Sequence, residues 1–211
     1  MARSTDISMA VIRRLPRYYR FLHELMKNGV VRVSSAELSK ILGLTASQIR
    51  QDLNCFGGFG QQGYGYLVAQ LHDEIGKILG LSQTADAILI GAGNLGRAIA
   101  NHLDFEQRGF RLTGIFDASE EVIGRTVRGL QVVSTDELDA FCQDHSPSLA
   151  ILCIPYDAAK KTVDHLRKLN IHAFWNFSHY DITSDDPDDI VENVHLGDSL
   201  MTLSYRMKKD S

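Results

Sequence analysis

Gly91-Ala92-Gly93-Asn94-Leu95-Gly96 stands between an apolar run and a helical stretch, at a spacing that suits phosphate binding. Gly91 permits a tight turn, Gly93 lets the backbone approach a pyrophosphate, and Gly96 lets the next helix pack closely on its strand. The helix that this turn opens points its first amides at the anion. Asp117 follows 21 residues after Gly96, at the end of Arg111-Leu112-Thr113-Gly114-Ile115-Phe116. An acid at that strand end accepts hydrogen bonds from adenosine ribose hydroxyls and repels a 2′-phosphate. The expected ligand is therefore NAD(H), not NADP(H).

A second set of residues suits a polyanion. Ser34-Ser35-Ala36-Glu37 is a capping-box pattern ahead of Leu38, Ile41 and Leu42. After Gly43, Thr45-Ala46-Ser47-Gln48 caps another short helix that runs through Leu53. Two short helices joined around a glycine form a helix-turn-helix, whose second helix enters the major groove. Its early exposed residues are Ser47, Gln48, Arg50 and Gln51. Arg pairs bidentately with guanine and Gln with adenine. On their own the two helices describe an ordinary capped pair in a helical core equally well. The next stretch shifts the balance. Phe56 to Tyr66 interleaves five glycines with four aromatics, the composition of a tight hairpin with rings over its base. A hairpin directly after a recognition helix is a wing.

The elements that position these residues follow from periodicity. Ile12, Leu15, Tyr19, Leu22 and Met26 recur at near-helical spacing, with Pro16 starting a new helix or kinking this one. A helix is expected from Leu67 to Leu81, with Leu71, Ile75, Ile78 and Leu79 on one side. Ala87-Ile88-Leu89-Ile90 has the continuous apolar character of a buried parallel strand, and so does Leu149 to Ile154, which Pro155 stops. Tyr156 to Asn170 reads as a helix and Ile171 to Phe177 as the next strand. Such alternation implies a doubly wound parallel sheet of Rossmann type, in which ligands sit beyond the strand C-termini. That places Ile154, Pro155, Asn176 and Phe177 near the nicotinamide. Asp185 to Asp189 is expected to be a solvated acidic loop. A last helix near Leu196 to Lys208 carries Leu196, Leu200 and Leu203 on one side, which suits a partner subunit. The fold class is thus α/β. Residues 1–81 form a winged helix-turn-helix domain, 82–194 a Rossmann domain, and 195–211 a C-terminal helix suited to a partner subunit.

Charge divides along the same line. Residues 1–66 hold nine basic and four acidic side chains, a balance of +5, while 67–211 carry −9 of the net −4. A basic end and an acidic remainder fit a polyanion partner for the first part alone. Cys55, Cys142 and Cys153 are odd in number and widely separated, as expected of reduced cytosolic thiols, and no metal-like spacing occurs. No apolar run approaches the roughly 20 residues that span a bilayer, and the polar start, Met1 to Ser8, lacks a secretory signal's apolar core.

Taken in order, these residues resemble the Rex family of redox-sensing transcriptional repressors over almost the whole chain. The resemblance rests on Leu15-Pro16 with Tyr18-Tyr19-Arg20-Phe21-Leu22, on Val33 to Leu38, and on Ile49-Arg50-Gln51-Asp52. It continues through Gly63-Tyr64-Gly65-Tyr66, the Gly91–Gly96 turn, Phe116-Asp117 and Asn176-Phe177. It implies a cytoplasmic homodimer whose C-terminal helix crosses to its partner. It also implies an inverted-repeat DNA operator, bound when NADH is scarce and released when NADH rises, with NAD+ competing. The expected DNA-facing set is Arg13, Arg17, Ser34, Ser35, Thr45, Ser47, Gln48, Arg50, Gln51, Gly60, Gln62 and Tyr64.

Four positions depart from the family pattern. Gln51 and Gln62 stand where basic residues are usual, His195 where an acid is common, and His102 where a tyrosine is common near the nicotinamide. An acid at 195 would partner Arg20 in the DNA-bound dimer. His195 cannot, and when protonated would repel it. The rival reading is a small NAD-dependent oxidoreductase using His102, His179 or His195 as acid or base. A CoA- or nucleotide-binding scaffold without DNA activity is a third. Neither accounts for the basic winged segment, and no catalytic pair at recognisable spacing appears, so catalysis is not expected.

Overall fold

A computed structural model describes residues 7–57, 59–61, 64–183 and 186–209. The chain forms two compact units, Met1–Ser82 and Gln83–Ser211.

In the first unit, α1 (Met9–Ile12) and α2 (Leu15–Lys27) are separate helices, and Pro16 stands in the first turn of α2, where it starts a new helix instead of kinking one. Proline is tolerated there because its missing N–H has no helical partner to lose. Strand β1 (Arg32–Val33) leads into α3 (Ser35–Leu42) and α4 (Ala46–Asn54). The capping box of α3 is complete, with the Ser34 hydroxyl accepting from Glu37 N–H and the Glu37 carboxylate accepting from Ser34 N–H. Thr45 Oγ1 accepts from Gln48 N–H at 3.1 Å and starts α4. The wing is an antiparallel pair, β2 (Gly60–Gln61) with β3 (Gly65–Leu67), and β1 adds to β3. Helix α5 (Val68–Ile78) closes the unit. Leu15, Tyr18, Leu22, Leu38, Leu42, Ile49, Leu53, Leu71 and Ile75 are buried together, whereas Ile41, expected with Leu38 and Leu42, is exposed.

The second unit is a parallel sheet with one antiparallel edge. Its strands are β4 (Ala85–Ile90), β5 (Phe110–Asp117), β6 (Thr126–Val127), β7 (Leu130–Ser134), β8 (Leu149–Leu152), β9 (Ala173–Asn176) and β10 (Ile190–Asn193). The spatial order is β10-β9-β8-β4-β5-β7-β6. The chain winds one way from β4 through β5 to β7, then returns to β8, β9 and β10. The strand order therefore reverses between β4 and β8, where such sheets open a crevice for ligands. Helices α6 (Asn94–His102), α7 (Leu138–His145) and α8 (Tyr156–Lys168) connect the strands. Ile88, Ile90, Phe116, Ala150, Leu152 and Phe174 fill one face of the sheet, and Ala87, Leu89, Ile115, Val132 and Ile151 the other. Helix α9 (Leu196–Lys209) ends the described chain. Among the described residues, no helix is long and apolar enough to cross a membrane.

Candidate nucleotide and nucleic-acid sites

The glycine turn lies at the C-terminal end of β4, at the sheet's reversal point. Gly91 has φ +99°, and a Cβ there would lie 2.4 Å from the Cys153 carbonyl oxygen. A Cβ on Gly96 would lie 1.9 Å from the Gly91 oxygen, so only glycine lets α6 approach this closely. Gly93 is different: nothing lies within 4 Å of its missing side chain. That bare approach to the start of α6 fits a pyrophosphate. Asp117 Oδ2 accepts from Ala92 N–H at 2.6 Å, and Oδ1 from Ser119 N–H at 2.8 Å. The carboxylate thus braces the turn, and each of its oxygens has a second lone pair beyond the one used here.

A cavity of about 1010 Å³ runs from this turn along α8. Gly91, Gly93, Asp117, Ile154 and Pro155 line it together, as the sequence suggests. Thr135, in the short 3-10 turn before α7, and Leu138, the first residue of α7, line it as well. Nothing in their sequence context distinguished them. Cys153 also lines the cavity, with its thiol pushed up to about 12 by burial, so it is a protonated, apolar surface at neutral pH. Ala92, Asn94, Leu95 and Gly96 lie in the turn and at the start of α6 and are not among the cavity's lining residues. The Asn94 side chain accepts from Arg97 at 2.7 Å.

Asn176 and Phe177 are not among the cavity's lining residues. Asn176 is fully buried: its amide donates to Tyr180 O and Asn193 Oδ1 and accepts from Ser178 N–H and Oγ–H. Phe177 packs edge-on against Trp175. His102 ends α6 exposed, while the His179 and His195 rings stack 6.4 Å apart.

In the first unit, Ser47, Arg50, Gln51, Asn54 and Cys55 line a shallow depression along the outer side of α4. Arg50 donates to Ser35 Oγ at 3.0 Å and joins α4 to the start of α3. The Ser34 hydroxyl is occupied by its cap, donating to and accepting from Glu37. Arg13 and Arg17 are exposed on the α1–α2 segment, and Tyr64 is 70% exposed on the wing, where its carbonyl accepts from Arg32. Gly60 pairs with Tyr66 in the wing, and Gln62 falls outside the described residues.

No local pattern in the sequence signals the network behind α4. Asp52 is completely buried and accepts four bonds: Arg14 Nη2 and Gln48 Nε2 on Oδ1, Arg14 Nε and Tyr18 Oη on Oδ2, all between 2.7 and 2.8 Å. Burial alone would raise its carboxyl, but these donors outweigh burial and hold it below its ordinary value. The Tyr18 phenol is pushed up, first by burial and then by the neighbouring Asp52 carboxylate.

His172, Asp186 and Asp189 bring ligand atoms within 4.8 Å of one another at the sheet's N-terminal end. Arg167 already supplies a cation there, 2.6 Å from the buried Asp189 carboxylate.

Comparison with known proteins assigns both halves. The family model "Putative DNA-binding protein N-terminus" matches residues 6–54, and "CoA binding domain" matches 82–180. Redox-sensing transcriptional repressor Rex of Caldanaerobacter subterraneus subsp. tengcongensis is 54% identical over 210 residues, covering 100% of this chain and 93% of the relative. Rex of Clostridium botulinum (strain Hall) is 48% identical over 99% of both chains. This chain belongs to the Rex family.

Solved Rex structures match the fold throughout. The repressor RSP in complex with beta-NAD+ and operator DNA is 53% identical with a TM-score of 0.90, covering 98% of this chain and 95% of that one. RSP in complex with beta-NADH is 50% identical with a TM-score of 0.89, covering 98% and 97%. The Rex relatives are named as repressors, not enzymes. Of the positions that depart from the Rex pattern, His195 gains a local acid: its Nε2 lies 2.7 Å from Asp181 Oδ1.

Proposed function

We propose that this chain is a redox-sensing transcriptional repressor that binds an inverted-repeat operator when NADH is scarce and releases it when NADH binds. One observation carries the reading: a braced glycine turn with Asp117 at a sheet's reversal point shares a chain with a winged helix-turn-helix. Gly91, Gly93, Asp117, Ile154 and Pro155 would hold the dinucleotide, which acts as an effector and supplies no chemistry to a substrate. Arg50, Ser47, Gln48 and Gln51 would face base edges, and Arg13, Arg17, Ser34, Ser35, Thr45, Gly60 and Tyr64 would complete the DNA-facing set, with Gln62 of that set outside the described residues. Both ligands belong to the cytoplasm.

The working form is a homodimer. Leu196, Leu200, Leu203 and Met207 recur along one side of α9 and are 51% to 68% exposed. A helix this apolar needs a covering surface. In this reading a second copy supplies it by exchange of α9.

A gel shift of the full chain on inverted-repeat DNA, titrated separately with NADH and NAD+, tests the reading. Release at lower NADH than NAD+ concentration is expected. Binding indifferent to both overturns the sensor, and absence of DNA binding overturns the repressor.

A further inference from the structure

Asp52 accepts only, since its carboxylate is ionised and buried. Its four donors occupy about all the lone-pair sites that a carboxylate offers. The Gln48 group that meets it at 2.8 Å must therefore be the amide nitrogen, because a carbonyl oxygen there would face an anion. The Gln48 backbone is also fixed, through Thr45 at the N-cap. Gln48 sits in the first turn of α4, half-buried, with Ser47 and Gln51 exposed beside it.

We propose that Asp52 sets which hydrogen-bonding face Gln48 shows to a base, and that this makes Gln48 an adenine-specifying residue. The inference rests on α4 being a DNA reader. One Nε2–H is taken by Asp52, and we assign to that bond the hydrogen remote from the amide oxygen. The remaining Nε2–H and Oε1 then face outward side by side. That pair matches adenine in the major groove, where N7 accepts and the 6-amino group donates. Guanine offers two acceptors, N7 and O6, so its O6 would meet Oε1 and be repelled. Thymine offers only O4 and its methyl group, so it can take the Nε2–H but gives Oε1 no donor. Asp52 is a positioning residue: it touches no base and acts through the amide that it orients.

The network also explains why a carboxylate is needed, where an amide would satisfy Arg14 less fully. An asparagine at 52 could present oxygen or nitrogen to Gln48 and would let either face of Gln48 turn outward.

The test begins with the full-length chain and a pool of duplexes with randomised inverted-repeat half-sites. Selection with the parent and with Gln48→Met, which keeps length but has no amide, is expected to differ at one position per half-site. The parent should require adenine there. Replacing that adenine by purine, which lacks the 6-amino group, or by 7-deazaadenine should each weaken the parent about tenfold. Neither replacement should affect Gln48→Met. Asp52→Asn, with folding checked by its thermal transition, should lose discrimination between adenine and guanine at that position alone. If Asp52→Asn does not fold, the base analogues still decide which face Gln48 shows. A Gln48→Met motif identical to the parent's, or a changed position that is guanine or thymine in the parent, overturns the inference while leaving the DNA reader standing. A parent chain that enriches no sequence overturns the DNA reader, and this inference with it.

Discussion

Asp117 Oδ2 and the Ala92 amide lie 2.6 Å apart, so the carboxylate proposed for the ribose and the turn proposed for the pyrophosphate are tied directly to each other. Substitution of Asp117 therefore acts on both halves of the ligand. In Asp117→Ala, NADH binding should weaken by about 1.5–3 kcal/mol, the range for hydrogen bonds to a charged group. NADPH should change less, because loss of the charge also removes repulsion of its 2′-phosphate. Isothermal calorimetry with both nucleotides checks this. Equal affinity of the parent chain for the two would end the assignment of Asp117.

The Asp52 network makes the first unit acid-sensitive. The folded carboxyl lies below its ordinary 3.8, so its stabilisation is fully present above that pH and is lost as pH falls through the folded value. At pH 7, Asp52→Ala leaves the Tyr18 hydroxyl buried without its acceptor, while Arg14, 28% exposed, recovers part of its hydration. A loss of about 3 kcal/mol is expected, the lower end for breaking a buried ion pair. Urea unfolding should show that the gap between parent and variant narrows below pH 3.8.

How far this was legible depended on whether neighbours in space were neighbours in sequence. Caps, the glycine turn and the runs Ala87–Ile90 and Leu149–Leu152 declare themselves within a few residues. Strands β7 and β10 do not. In Leu130–Ser134 only Val132 is buried, and the edge strand Ile190–Asn193 has no buried residue, so neither shows an apolar run. Asp52 reads as an ordinary helix-surface charge, because its partners Arg14 and Tyr18 stand 38 and 34 positions earlier. The strand end suggests Asn176 for the nicotinamide, and its four hydrogen bonds engage its amide with the following loop and β10. A strand end fixes where a residue sits, and its neighbours fix where it points.

Arg50 and Arg17 should separate by kind of DNA contact. If Arg50 reads a base edge, Arg50→Ala weakens the preferred sequence by about 1–3 kcal/mol and relaxes one position. Removing its bond to Ser35 is expected to cost little stability, since that bond is exposed. If Arg17 contacts phosphate, Arg17→Ala weakens all sequences alike and lowers the salt slope by about one ion. Fluorescence anisotropy over a salt series distinguishes the two.

His195 was expected to repel Arg20 once protonated near pH ~6.5. Its contact with Asp181 alters that expectation. The hydrogen bond to Asp181 raises the His195 pKa above 6.5, with a further contribution from Asp198, while the stacked His179 ring is the other titratable neighbour. A raised value means that the link is fully formed below pH 6.5 and is lost as pH rises through the folded pKa. Protonated His195 beside ionised Asp181 is close to neutral as a pair, so the expected repulsion of Arg20 is largely offset while the link holds. The change that matters comes instead on the alkaline side, where the start of α9 loses its tie to the loop after β9. NMR titration of the imidazoles should place His195 above 6.5, and Asp181→Asn should return it towards that value. Amide exchange at residues 195–200 should quicken in the parent above the measured pKa, and at all pH values in Asp181→Asn. His195→Asp is a poor probe of Arg20 by itself, because it sets two carboxylates together and breaks the same tie. The double variant His195→Asp with Asp181→Asn avoids that clash. If this double variant binds DNA more tightly than Asp181→Asn in the absence of NADH, an acid at 195 does pair with Arg20. If the two bind alike across pH 6 to 8, position 195 acts only through the local tie to Asp181.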